Sequence, residues 1–290
     1  MKKLHGRILA LAGILLVSTV GAAFAQSVES ADSSASGTKS SKAPVYSTPK
    51  AAKPGPSSAT WDGFYVGGYA GVGLRRATAN TTTVFSPTGY FAATSAPAVG
   101  TAGRQALNST NFNGGGTFGY NHQSGNWVVG AEADFGALTG TRSATTTAGY
   151  PCCAPTTFTV SQSVKTTWLF TARPRVGYVW GNTMVYLTGG LAMTNLNYVA
   201  RFTDTFATAT EGAAIKKTLT GWTGGGGIET KVNDHWSIKG EYLYAQFPRR
   251  TVTSTNLMAF TPAIAFPTNT FSHGIFLKEH LLRFGFNYHF

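Results

Sequence analysis

From Trp61 onward the chain repeatedly alternates apolar side chains with small or polar ones. The clearest stretch runs from Trp127 to Phe135, where the odd positions are apolar and Glu132 and Asp134 occupy even positions. Successive side chains of a β-strand point to opposite faces, so a period of two residues predicts strands rather than helices. The pattern therefore predicts a sheet protein whose strands have one apolar and one more polar face.

Eight segments of this kind follow one another: 62–74, 110–122, 126–138, 165–180, 183–198, 217–231, 235–247 and 280–290. Each is at least as long as the roughly 9–11 residues that a tilted strand needs to cross a bilayer. Four connections have about 35, 26, 18 and 32 residues, and the others have only a few. This alternation is typical of outer-membrane barrels. The sequence predicts an all-β, eight-stranded antiparallel transmembrane β-barrel with short periplasmic turns and long extracellular loops.

The segment before the barrel predicts export. Residues 1–25 combine a basic start, an apolar run from Ile8 to Val17 and the small-residue pattern of Ala23 and Ala25, which is typical of a cleaved signal peptide. Residues 26–60 are rich in Ser, Ala, Lys and Pro and predict a disordered periplasmic tether. The predicted barrel spans residues 61–290.

Composition agrees with this assignment. The chain has 35 Gly among 290 residues, with 13% aromatic and 12% charged residues, which argues against wholesale disorder and against a helical or α/β enzyme. Aromatic residues recur at the periplasmic strand ends, where an interfacial girdle is expected. These residues are Trp61, Phe64, Tyr120, Trp127, Tyr178, Trp180, Trp236, Tyr288 and Phe290.

The alternation along each strand predicts whether a charged residue lies in the lumen or outside it. Eight charged residues, four acids and four bases, are predicted to point into the lumen: Glu132, Asp134, Arg173, Arg175, Glu229, Lys239, Glu241 and Arg283. Unpaired charges inside a narrow barrel are costly, whereas paired ones are tolerated. We therefore expect a neutral ladder, with Arg173 and Arg175 against Glu132 and Asp134. A water-filled lumen with solvated charges is the alternative.

Basic residues also gather near the predicted loops. A cationic ring at this level would neutralise lipopolysaccharide phosphates; a solvated basic loop is the alternative. The candidates are Arg75, Arg76, Arg142, Lys165, Arg201, Lys216, Lys217, Arg249, Arg250 and Lys278. The tether lysines suggest a further electrostatic contact with peptidoglycan; a soluble spacer without such a contact is the alternative. Because the bases of this exported chain are dispersed, nucleic-acid binding is not expected.

Several motifs resemble catalytic or ligand-binding patterns but lack the structural context that those functions require. Gly114 to Gly119 matches a nucleotide-binding glycine pattern but lies inside an alternating strand. No histidine or cysteine spacing indicates a metal site, and no cofactor is expected. Ser272 and His273 could serve a lipid-modifying barrel enzyme, although neighbours on a strand point in opposite directions. The adjacent Cys152 and Cys153 leave three states open, namely a strained bridge, an intermolecular disulfide and free thiols.

Short motifs in order along the chain resemble a known family. They are Trp61-Asp-Gly-Phe-Tyr-Val-Gly-Gly-Tyr69, Phe118-Gly-Tyr-Asn121, Gly130-Ala-Glu-Ala-Asp134, Arg175-Val-Gly-Tyr178 and the segment from His280 to Phe290. Together they resemble the porin-like outer-membrane proteins of alphaproteobacteria, RopB-type relatives of the OmpA barrel, over residues 43–290. Tyr288 and Phe290 resemble the family's signal to the barrel-assembly machinery. The cysteine pair and the long loops depart from the family pattern.

The expected role is structural. We predict a protein of the outer membrane of a Gram-negative cell that helps organise the envelope, with lipopolysaccharide as partner. The resemblance implies a surface antigen. A narrow pore for small solutes is the main alternative, and a lipid-modifying enzyme is a remote one.

Overall fold

A computed structural model describes residues 60–290, and the predicted signal peptide and nearly all of the predicted tether lie outside them. The described chain is dominated by eight long strands. They are β1 (Gly63–Thr83), β2 (Ser109–Ser124), β3 (Trp127–Gly149), β4 (Thr157–Trp180), β5 (Thr183–Asp204), β6 (Thr210–Lys231), β7 (Trp236–Ser254) and β8 (Phe271–His289).

The eight strands form a closed antiparallel ring. Each strand pairs with the next along the chain, from β1 with β2 to β7 with β8. The last strand then pairs with the first, with Tyr65 opposite His289 and Thr83 opposite Phe271. Closure satisfies the backbone hydrogen bonds that an open sheet edge would leave exposed. The predicted eight-stranded antiparallel β-barrel is confirmed.

The two ends of the barrel differ. The turn end holds residues 125–126, 181–182 and 232–235, together with the start of β1 and the end of β8. The loop end holds residues 84–108, 150–156, 205–209 and 255–270. Helix α1 (Ser95–Ala102) and three two-residue strands lie in the longer loops. None of the helices among residues 60–290 has the length and apolar character to cross a membrane.

The strands extend further toward the loop end than the sequence predicted. Residues 141–149 of β3 pair with residues 157–165 of β4, although the predicted segments ended at 138 and began at 165. These extensions are rich in Thr and Ser, whose backbones pair without the apolar alternation that marked the predicted strands. Much of the predicted second and third loops is therefore β-structure, and the irregular parts of those loops are short.

Side chains alternate between the lumen and the outer surface along most of each strand, with a change of parity at an irregularity between Lys165 and Leu169 of β4. In β1, Tyr65 and Tyr69 are buried, whereas Phe64 and Val66 are exposed. Large apolar side chains cover the outside of every strand, as Phe135 and Phe284 illustrate, with 60% and 66% exposure. This arrangement places apolar groups toward lipid and polar groups inside, as expected of a membrane barrel.

The interior is filled in layers. Trp61 closes the turn end with Val128, Val179, Met184 and Tyr186. A charged layer lies above it, followed by an apolar layer that includes Leu138, Leu169, Leu243 and Leu281. The loop end is covered by an aromatic cluster that includes Phe91, Phe158, Phe202 and Phe271.

Trp61 corrects the predicted girdle. Its side chain is fully buried because it shares the inward parity of Tyr65, whereas the other eight predicted aromatic residues are not buried. The Lys231 Nζ lies 5.6 Å from the centroid of the Trp61 ring. Trp61 therefore plugs the turn end and does not contribute to an interfacial belt.

The glycine run from Gly224 to Gly227 lies in β6, where the strands approach closely. A Cβ atom at Gly225 would lie 2.0 Å from the Tyr242 carbonyl oxygen, so a larger residue would force the strands apart. Gly114 to Gly119 likewise lies within β2 and opens no helix. Both runs therefore serve the packing of the sheet.

Candidate functional site

The eight predicted lumenal charges lie in one layer inside the barrel. We call Glu132, Asp134, Arg173, Arg175, Glu229, Lys239, Glu241 and Arg283 the lumenal layer; none is more than 5% exposed. They come from five strands, and each side chain points inward by the alternation of its strand. The barrel therefore brings together charges that are far apart in sequence.

Arg173 holds three carboxylates together. It lies opposite Glu132 in the β3–β4 register, and its Nη2 is 2.8 Å from a Glu132 oxygen and 2.9 Å from an Asp134 oxygen. Its Nη1 is 3.0 Å from Glu241 on β7, across the lumen. The predicted contact between neighbouring strands is present, and the guanidinium also links opposite walls.

Glu132 lies at the centre of the layer. Lys239 on β7 places its Nζ 2.8 Å from one Glu132 oxygen, and Arg175 approaches to 3.5 Å. The Tyr65 hydroxyl donates to the same carboxylate at 2.8 Å. Glu132 is therefore surrounded by three cations and a phenol, none of which belongs to its own strand.

The remaining members extend the network to both sides. Arg283 lies 3.1 Å from Asp134 and donates to the Asn113 side chain at 2.6 Å. Arg175 lies 3.1 Å from Glu229. Four acids and four bases thus form a compact, electrically balanced cluster that stabilises each buried charge by pairing and hydrogen bonding.

Aromatic rings complete the layer. The Arg175 guanidinium carbon lies 4.5 Å from the Tyr65 ring centroid, and that of Arg283 lies 4.4 Å from the Tyr69 ring centroid. At these distances a cation is attracted by the ring face. The rings and the ion pairs occupy the cross-section together, so the arrangement obstructs the lumen.

Arg75 corrects the predicted lipopolysaccharide set. It is 1% exposed, and its Nε lies 2.7 Å from Glu279, which is fully buried. It also donates to Thr166. The predicted first segment ended at 74, which hid the fact that Arg75 has the same inward parity as Tyr65 and Tyr69. A further buried ion pair, separate from the lumenal layer, therefore lies on its loop side.

A further buried polar group was also missed by the sequence analysis, which had placed Glu211 in an outer loop. The His273 Nε2 lies 3.1 Å from Glu211, and its Nδ1 lies 2.8 Å from the Thr81 hydroxyl. Ser254 donates to Glu211 as well. Neither of these His273 contacts involves Ser272, its neighbour on the strand. The inward parity of residue 273 is the signal that could have revealed this group.

The other nine basic candidates are exposed, except that Lys278 is half-buried. Four of them lie on the parts of β6 and β7 that are not paired with each other. The β6–β7 ladder ends at Trp222 and Gln246, although β6 begins at Thr210 and β7 ends at Ser254. Beyond this last paired position lie the bases Lys216 and Lys217 on β6 and Arg249 and Arg250 on β7. The other five lie on β1, β3, β4, β5 and β8.

The terminal residues and the cysteines occupy opposite ends. The Tyr288 and Phe290 rings pack edge to face with centroids 5.2 Å apart at the turn end, and Phe290 is 73% exposed. Cys152 and Cys153 form a disulfide bond with each other in the loop of residues 150–156. Of the three states left open by the sequence, the structure shows the bridge between neighbours.

Comparison with known proteins agrees with the barrel. The family model described as outer membrane protein beta-barrel domain matches residues 14–290. The 31 kDa outer-membrane immunogenic protein of Brucella melitensis is 30% identical over 288 residues, which cover 95% of this chain and 99% of the relative. The same protein of Brucella suis matches equally.

Solved structures give weaker likenesses. The Neisserial surface protein NspA aligns with a TM-score of 0.32 and 12% identity, covering 79% of this chain and 98% of that chain. The outer membrane protease OmpT of Escherichia coli aligns with a TM-score of 0.36 and 8% identity, covering 78% of this chain and 97% of that chain.

Proposed function

The chain belongs to the family of outer membrane protein β-barrel domains, and we propose that it is a closed structural barrel that organises the envelope and displays its loops outside the cell. It is a protein of the outer membrane. In this class of barrel the short turns face the periplasm and the longer loops face outward. The loop end is accordingly the surface available to antibodies.

The single observation that carries the proposal is the filled lumen. Each of the eight lumenal charges is nearly inaccessible, and clusters of buried apolar side chains lie beneath and above them. Side chains usually fill a barrel of this strand number. A solute would have to break several buried ion pairs to pass.

Single-channel conductance tests this proposal. The protein is purified from outer membranes, confirmed as folded by its heat-dependent gel mobility, and inserted into a planar bilayer. We expect no discrete conductance steps. Steps that change in a Glu132→Gln or Arg173→Gln variant would contradict the closed barrel and support a narrow porin.

The antigenic part of the proposal rests on the relatives, which are named as immunogenic outer-membrane proteins. Antibodies raised against the folded protein should label intact cells. Peptides covering residues 84–108 and 255–270, the two longest loops, should compete for part of that labelling. Labelling that requires permeabilised cells would contradict surface display.

Lipopolysaccharide is the proposed partner of the bases at the loop end. Lys216, Lys217, Arg249 and Arg250 lie near headgroup level beside the unpaired part of β6 and β7. Phosphates are good acceptors for such a group. Replacing all four by Ala should slow lipopolysaccharide-dependent refolding, whereas Arg142→Ala, a single exposed base on β3, should change it little. Equal rates in all three proteins would remove this partner.

We also propose that the barrel has no catalytic role. Both ring nitrogens of His273 are occupied by Glu211 and Thr81, and the side chain is fully buried. Release of acyl chains from lipid A by the purified protein, lost in a His273→Gln variant, would overturn this part. Contacts of the tether with peptidoglycan, and of Tyr288 and Phe290 with the barrel-assembly machinery, remain predictions.

A further inference from the structure

Three loops meet over the mouth of the barrel and line a partly open cavity of about 220 Å³. They contain residues 84–108, 150–156 and 205–209. We call Tyr90, Phe91, Tyr150 and Phe206 the outer aromatic cluster. These four residues line the cavity together with the disulfide of Cys152 and Cys153.

The rings of this cluster meet at steep angles. The Phe206 ring centroid lies 6.2 Å from that of Tyr90 and 6.4 Å from that of Tyr150, with interplanar angles of 66° and 71°. Phe206 is 51% exposed, whereas Tyr150 and Phe91 are buried. The cluster is therefore an aromatic cup whose outermost wall is Phe206.

A carboxylate lies behind this cup. The hydroxyl groups of Tyr90 and Tyr150 both donate to the same oxygen of Asp204, Tyr150 at 2.8 Å. The backbone N–H groups of Ala207 and Ala209 donate to the other oxygen at 3.3 and 2.8 Å. Burial, together with the bond to Asp204, raises the pKa of Tyr90 and of Tyr150, so both phenols remain protonated donors.

The charge of Asp204 lacks a positive partner within residues 60–290, because none of the ion pairs formed there includes it. The tyrosines of the outer cluster likewise have no described cation over their rings, unlike Tyr65 and Tyr69 in the lumen. A phenol that donates to a carboxylate gains electron density, which strengthens the attraction of its ring for a cation. The cup is thus polarised for a positive ligand that the described chain does not supply.

We propose that this cavity binds a small quaternary ammonium cation, of the class that includes choline and its headgroup derivatives. Aromatic cups with a nearby negative charge are the setting in which such cations are recognised. The cavity is smaller than the roughly 300–1,000 Å³ of pockets for drug-sized ligands, which suits a headgroup.

The hydrogen bonds of Asp204 discriminate among cations. Both of its oxygens already accept two bonds, so a metal ion or a primary ammonium would have to displace protein donors to reach it. A quaternary ammonium has no N–H group and needs no acceptor. Its methyl groups contact the ring faces, while its charge interacts with Asp204 through space.

Calorimetric titration with choline tests the proposal. The protein is purified in octyl glucoside, a detergent without a quaternary nitrogen, and titrated with choline, tetramethylammonium, ethanolamine and the neutral isostere of choline that has carbon in place of nitrogen. We expect saturable binding of the first two ligands. Binding of the neutral isostere should be at least about ten-fold weaker, because it lacks the charge. Binding of ethanolamine should also be weaker.

Two variants place the ligand. Phe206→Ala should weaken choline binding several-fold. Phe85→Ala is the control and should not weaken it, because Phe85 is about equally exposed, at 50%, and lies at the same loop end but does not line the cavity. Asp204→Asn keeps the shape of the side chain but removes its charge. The affinity of this variant for choline should therefore fall close to its affinity for the neutral isostere. Unchanged heat-dependent mobility shows that each variant is folded.

The proposal fails on any of three outcomes. These are no saturable binding of choline by the wild-type protein, equal affinities for choline and its neutral isostere, and equal effects of Phe206→Ala and Phe85→Ala. Conductance of the barrel is independent of these measurements, so the closed-barrel proposal and this one can fail separately.

Discussion

In both the lumenal layer and the outer aromatic cluster, tyrosine hydroxyls donate to carboxylates, but within the described chain only the lumenal carboxylates are also paired with cations. In the lumen, Tyr65 and Tyr69 donate to Glu132 and Asp134, and arginines lie over both tyrosine rings. In the loops, Tyr90 and Tyr150 donate to Asp204, and no described cation completes the group.

The difference follows from position. The lumenal layer is enclosed by lipid-facing walls, where an uncompensated charge would cost several kcal/mol, so its acids and bases are matched. The loop cluster borders water and can leave a carboxylate unmatched at smaller cost. Matched charge therefore indicates a structural core, and unmatched charge beside an open cavity indicates a place for a ligand.

The strongest way to break the lumenal layer is charge reversal at its centre. Glu132→Lys removes the partner of three cations and adds a fourth, and we expect a loss of at least about 3–5 kcal/mol of unfolding free energy. The urea midpoint of the purified barrel measures this loss. Arg142→Glu reverses an exposed charge on the same strand and should change stability by no more than about 0.5 kcal/mol. Equal midpoints for wild type and Glu132→Lys would contradict the matched layer.

A smaller change tests the tyrosine bonds. Tyr65→Phe removes the hydroxyl that donates to Glu132, and we expect a loss of about 1.5–3 kcal/mol, as is usual for a hydrogen bond to a charged group. The same urea titration provides the measurement. Tyr120→Phe on the outer surface serves as the control and should have little effect, because its side chain is 42% exposed. A loss of the same size in both variants would mean that the hydrogen bond from Tyr65 to Glu132 adds no stability to the folded barrel.

Coupling across the lumen can be measured by a double-mutant cycle. Glu132→Gln and Lys239→Gln each leave a partner unmatched, whereas the double variant removes both charges of one pair. We expect the double variant to be more stable than the sum of the single effects by about 0.5–3 kcal/mol. Strict additivity would show that the two residues do not interact in the folded barrel.

The smallest expected effect is that of alkaline pH on the stability contributed by the outer aromatic cluster. Burial and the bond to Asp204 raise the pKa of Tyr90 and Tyr150, so the folded state holds these protons more tightly than the unfolded chain. The resulting stabilisation is present below about pH 10, the ordinary tyrosine value, and is lost as the pH rises above it. Tyrosinate absorbance should show a late component that is smaller by two phenols in a Tyr90→Phe, Tyr150→Phe variant. Titration of both phenols near pH 10 would contradict this.

Alternation of residue types predicted much of the fold and of the site. The eight strands and the inward direction of all eight lumenal charges follow from period two, because a β-strand has only two faces, whereas the alternating lengths of the connections predicted the antiparallel order. The errors came from the ends of segments. Arg75 was placed at the rim and Trp61 in the girdle, although each has the inward parity of Tyr65.

The sequence by itself determined which face each side chain occupies, since parity is a local property of the strand. Closure of the ring and the stagger between strands decided which charges meet. Lys239 reaches Glu132, and Arg283 reaches Asp134, from strands that share no backbone hydrogen bonds. Pairing across a lumen depends on the register of every pair of strands in between. No local sequence pattern encodes the total stagger that these registers add up to. The meeting of Tyr90, Tyr150 and Phe206 from three loops around Asp204 was decided in the same way, by tertiary structure alone.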